Sequence, residues 1–114
     1  MTIVTVKRCE DGIRSIGVSG HSGYAEAGSD IICAAASVLI TTCANALETV
    51  AGIQPDVYEN ERNAEIRVTL PGGVSPQQMH DSQVILESIL QGYRDVANGY
   101  PKFLKINDGR TSSC

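Results

Sequence analysis

Tryptophan is absent from this 114-residue sequence, and a single phenylalanine stands beside four tyrosines. Large rings therefore cannot fill the interior, and an aliphatic, alanine-rich core is expected. No uninterrupted apolar run approaches the roughly 20 residues that span a bilayer. The opening Met-Thr-Ile-Val-Thr-Val-Lys alternates like a strand and lacks the charged start and apolar stretch of a signal peptide. A cytoplasmic location with no membrane partner is expected. Closely spaced metal ligands are also lacking: Cys9, Cys33, Cys43 and Cys114 are all far apart, as are His21 and His80. No metal and no cofactor are expected, and in a reducing compartment the thiols should not form disulfides. Positive charge is not in excess either. A net charge of −4 and a pI near 5.0 disfavour direct nucleic-acid binding, which needs a basic face, and suit a basic polypeptide better.

What is present fits one domain over residues 1–107, followed by a tail at 108–114 that reads as disordered. A chain this short leaves roughly a third of its unfolded surface wet, so a shared homodimer interface is expected. Residues 2–7 and 13–19 read as strands around an Asp11-Gly12 turn. Three glycines in the ten residues Gly20–Ser29 make a loop. Residues 31–51 form a helix with Ser29 or Asp30 as N-cap. Its polar positions Ser37, Thr41, Asn45 and Glu48 make one narrow stripe, so burial over most of its circumference is expected. Short strands follow at 54–59 and 65–70. A second helix opens on Ser75-Pro76-Gln77-Gln78, with cap, proline at the first helical position and capping box in order, and it stops near Gly99. Residues 103–106 add a possible last strand. The order ββαββα(β) gives an α+β fold: a single, mainly antiparallel sheet with two helices.

The informative stretch is Ser19 to Ser37. With Asp30 as cap, Cys33 is the third helical residue, near the positive end of a dipole that favours an anion. The N–H groups around Ile32, Cys33 and Ala34 lack intrahelical partners there and could hold an oxyanion. His21 enters the glycine loop leading back to that helix start. Within reach of Cys33, a neutral imidazole could take the thiol proton and return it to a leaving amine. Asp30 could orient His21, and Ser37 is a further possible site residue. A bland reading stands beside this one: a cysteine near a helix start is often a small core residue, and Cys43 in mid-helix reads that way.

The segment Gly20-His21-Ser22-Gly23-Tyr24-Ala25, then Gly28-Ser29-Asp30-Ile31-Ile32-Cys33-Ala34-Ala35-Ala36-Ser37, closely resembles the ribosomal-processing cysteine protease family, Prp. Its pattern is Gly-His-Ala, a short loop, then Gly-x-Asp-Ile-Val-Cys-Ala-Ala, from which Ser22 and Ile32 depart mildly. The resemblance implies Cys33 as nucleophile, His21 as base and Asp30 as third member. It also implies a homodimer and a mobile, substrate-binding loop from Gly20 through Ser22, Gly23, Tyr24 and Gly28 to Ser29. The implied substrate is a basic large-subunit ribosomal protein whose N-terminal extension is removed. Two alternatives remain open: a non-enzymatic module binding a ribosomal protein or assembling ribosome, with Cys33 merely packed, and a redox sensor. The last would need a resolving cysteine, and Cys43 lies ten residues down the helix, about 15 Å away.

Overall fold

The structure is a computed structural model that describes residues 1–20 and 29–109, with residues 29 and 30 described by their backbone only. Five strands form one sheet: β1 (Thr2–Cys9), β2 (Gly12–Ser19), β3 (Asp56–Asn60), β4 (Glu65–Thr69) and β5 (Leu104–Asp108). Their order is β3-β4-β2-β1-β5. All pairs are antiparallel except β1 with β5, which run parallel. Helices α1 (Ser29–Thr49) and α2 (Pro76–Gly99) pack on one face. This is the expected α+β arrangement in the expected order.

Local chemistry sets most boundaries. The β1–β2 hairpin turns over Glu10 and Asp11, one residue ahead of expectation, and Gly12 pairs with Cys9 at φ +131°. Gln83 of α2 clamps this hairpin: the Ile13 N–H donates to its carbonyl oxygen at 2.7 Å, and its amide donates to the Ile13 carbonyl at 3.0 Å. Ser75 accepts from the Gln78 N–H at 3.1 Å while Gln78 accepts from the Ser75 N–H at 2.9 Å. That is the capping box the sequence predicts. Between β3 and β4 a short 3-10 turn spans Glu61–Asn63, and Ala64 closes it in the left-handed region at φ 51°.

The core is aliphatic. Val4, Val6, Ile16 and Val68 from the sheet meet Ile40 and Leu47 of α1 and Leu86 and Leu90 of α2. Among the described residues Tyr93 is the one fully buried aromatic ring, and its hydroxyl donates to the Ala36 carbonyl at 2.8 Å, joining the two helices.

Three expectations change. First, α1 is not buried all round. Its fully buried side chains are Ile32, Ala36, Ile40, Cys43 and Leu47, a stripe of about one third of a helix surface, with Leu39 and Ala44 partly buried against the core beside it. Ile31 and Val38 are 69% and 63% exposed. Its segment Ile31–Thr49, with mean hydropathy 1.7, also has the length and composition of a membrane span, against the expectation that nothing does. The buried stripe packed on β-sheet and α2 identifies it as a core helix. Second, the tail does not begin at Asp108, which is the last residue of β5 and pairs with Val6. Its carboxylate takes a two-pronged bond from Arg8, at 2.8 and 3.1 Å. The rest of the predicted tail, residues 110–114, lies outside the described residues. Third, Cys9 is disulfide-bonded, against the expectation of free thiols.

Candidate functional site

At the end of β2 the chain is held in a fixed position. The Gly20 N–H donates to the Asn63 carbonyl at 2.9 Å. Its φ is +85°, and a Cβ there would sit 2.5 Å from the Met1 carbonyl oxygen. Only glycine fits both the left-handed backbone and the contact with β1's start. Gly20 is thus tied to the Asn63 carbonyl and packed on the start of β1, at the edge of the expected loop.

Gly20 forms one wall of a small cleft of about 90 Å³; Cys33, Ala36, Ser37 and Ile40 of α1 form another, and Thr2, Val18, Ala64 and Ile66 complete it. Cys33 carries a free thiol and is half-buried. Ser37, four residues on and therefore one turn along the same helix face, lines this cleft and a second depression of about 230 Å³ that continues past Ala64 to Glu59, Glu61 and Glu65. The cysteine that the sequence singles out therefore opens on a cleft, while Cys43 is fully buried. Burial pushes the Cys43 thiol up to about 12, because a thiolate there would lose its hydration.

The side chains beside Cys33 diverge, with Ile32 turned into the core at 2% exposure and Ala34 toward solvent, but the expected oxyanion role concerns their backbone N–H groups. The helix begins at Ser29 and runs through Asp30, so Cys33 is its fifth residue instead of its third. In α-helical register the Cys33 N–H then faces the Ser29 carbonyl, and the unpaired donors lie earlier than the expected Ile32–Ala34 set. His21, Ser22, Gly23, Tyr24 and Gly28 lie outside the described residues, as do the side chains of Ser29 and Asp30. Among the described residues no three His, Cys, Asp or Glu side chains converge as metal ligands.

Thr2, Ala64 and Ile66 are cleft residues that sequence reasoning missed. None belongs to the informative stretch. They arrive through the pairing of β2 with β4 and through the start of β1, both long-range events. The one local hint is Ala64, a non-glycine residue held at positive φ where the 3-10 turn meets the cleft.

Comparison with known proteins places this chain among the cysteine proteases. A family model described as cysteine protease Prp matches residues 1–105, so the chain belongs to that family. The ribosomal processing cysteine protease Prp of Bacillus subtilis (strain 168) is 25% identical over 107 residues, covering 93% of this chain and 96% of that protein. Among solved structures, SMU.848 from Streptococcus mutans aligns with a TM-score of 0.83 and 28% identity over 95% of this chain and 93% of that one. An essential ribosomal processing protease Prp from S. aureus, in complex with a substrate peptide, aligns with a TM-score of 0.82 over 96% of this chain and all of that one. Its 20% identity speaks for a shared fold. Membership sets aside the non-enzymatic module, and the burial of Cys43 gives it no place as a resolving thiol within one chain.

Proposed function

We propose that the chain is a cytoplasmic endopeptidase that removes an N-terminal extension from a basic large-subunit ribosomal protein, with Cys33 as nucleophile and His21 as base. One observation carries this reading: Cys33 shares its cleft with Gly20, the residue covalently joined to His21. Consecutive α-carbons lie about 3.8 Å apart, so the imidazole starts one residue from the cleft wall.

The chemistry follows from these groups. His21 accepts the Cys33 thiol proton, and the thiolate attacks the peptide carbonyl carbon. Charge builds on the carbonyl oxygen, for which the unpaired N–H groups of the first turn of α1 are the natural donors. The C–N bond then breaks, and His21 returns the proton to the departing amine. Water, deprotonated by His21, attacks the thioester; the carboxylate product leaves and the thiol is restored. Asp30 orients His21 in this scheme, and the glycine-containing loop after His21 closes on the peptide. Ser37, which lines the same cleft as the thiol, touches the substrate in this scheme.

Two surface features support the choice of substrate and assembly. The depression beside the cleft carries Glu59 and Glu61 on its rim, which suits a basic polypeptide. Ile31, Ala34 and Val38 leave an apolar strip exposed on α1, the kind of surface that a homodimer would cover. The test is intact-mass analysis of the extended ribosomal protein after incubation with native enzyme, Cys33→Ala and His21→Ala. A defined N-terminal loss with native enzyme alone is expected. Turnover retained in either variant would remove that residue from the mechanism.

A further inference from the structure

Net charge sums over the whole molecule, whereas anion binding depends on a local face. Both helices cover one side of the sheet, and among the described residues no element covers the other. There Lys7 of β1, Arg14 of β2 and Arg67 of β4 surround one depression of about 450 Å³, together with the hydroxyls of Ser15 and Thr69. The register explains the grouping. Lys7 pairs with Ser15 and Ser15 with Thr69, making one row across three strands, and Gly17, Arg67 and Tyr58 make the next.

Arg67 is fixed in place. Its stem lies across Gly17, where an added Cβ would be 3.5 Å from both its Cβ and Cγ. Its guanidinium sits 4.7 Å from the centre of the Tyr58 ring. Glu65 neutralises part of its charge at 3.6 Å, and Asp56 closes the first row opposite Thr69. Neither Lys7 nor Arg14 has an ion pair within the described residues.

We propose that this open face binds the sugar–phosphate backbone of a nucleic acid. Three cations supply the attraction, and the half-buried Thr69 hydroxyl can donate to a phosphate oxygen; Ser15, 6% exposed, forms the floor. Tyr58 is 44% exposed, so the ring and the guanidinium plane above it offer a base something to stack on. An acidic polypeptide would use the cations but not the stack. The face lies across the sheet from the Cys33 cleft, so the inference stands independently of the peptidase reading.

The experiment is fluorescence anisotropy of a short labelled single-stranded oligoribonucleotide with the full chain, over a salt series. Three neutralised phosphates predict a log–log salt slope of about −2, at roughly 0.7 per phosphate. The triple variant Lys7→Gln, Arg14→Gln, Arg67→Gln should lose at least about tenfold in affinity, one decade being about 1.4 kcal/mol, and keep native peptide cleavage. Tyr58→Ala should weaken binding without changing the slope. Lys7→Glu alone, a surface change that should not threaten folding, should weaken binding and make the slope shallower. No binding, binding unaltered in the folded triple variant, or equally tight binding of polyglutamate would overturn the proposal.

Discussion

The two helices solve the same packing problem in opposite ways. α2 carries its instructions locally: a complete capping box, a proline at its first position, and the apolar residues Leu86, Ile89, Leu90 and Tyr93 on one stripe. What it exposes is largely polar. α1 is far more apolar than its buried stripe requires, leaving Ile31 and Val38 in solvent beside the thiol-bearing face. α2 serves the fold, whereas α1 divides its faces between core and cleft and leaves a third, apolar strip uncovered among the described residues.

That division can be broken at chosen points. The largest effect is expected from Leu47→Ala on the buried stripe of α1. Its side chain is fully buried, and truncation should cost about 2–5 kcal/mol in chemical denaturation. Tyr93→Phe should cost less, about 1–2 kcal/mol, by removing the hydroxyl that joins the helices through the Ala36 carbonyl. The smallest effect on the monomer belongs to Val38→Ser, within about 0.5 kcal/mol. The same change should weaken self-association in sedimentation velocity if the outer face is a dimer seam. A Val38→Ser chain as destabilised as Leu47→Ala would abolish the distinction between the faces.

Alkaline pH sharpens the comparison from another side. Cys43 has an ordinary thiol value of 9.0 and is pushed up to about 12 in the fold. Burial, with Cys43 close by, raises the Tyr93 hydroxyl as well. Both groups are protonated acids whose folded value lies above the unfolded one. Their contribution is therefore fully present below about pH 9 and is lost as pH rises toward 12. Urea midpoints measured from pH 8 to 11 should fall, and Cys43→Ala should flatten that fall even though its starting stability is lower. An unchanged slope would mean that the buried thiol does not titrate with unfolding.

The amount legible in sequence follows the reach of the interactions. The capping box of α2 is written in four consecutive residues, Ser75 to Gln78, and appears as expected. The β1–β2 hairpin and the β3–β4 pair were readable from turn residues, with boundaries off by one or two positions. The burial of α1 was not readable, because periodicity reports which residues are apolar and cannot report whether a neighbour covers them. Within the site, Cys33 stood out through its motif, and the structure sets it on a cleft. The opposite wall, Thr2, Ala64 and Ile66, depends on strands paired across the chain, and its one local mark is the positive φ of Ala64, which residue type alone does not announce.

The central claim is that two sulfurs on one helix have different work: Cys33 reacts and Cys43 packs. Its most direct test is a time course of iodoacetamide labelling of the native protein, read residue by residue by peptide mass mapping alongside peptidase activity. The account predicts that Cys33 is modified first, that activity falls in step with it, and that Cys43 is labelled only after unfolding. Full modification of Cys33 with activity intact, or native labelling of Cys43 as fast as Cys33, would contradict it.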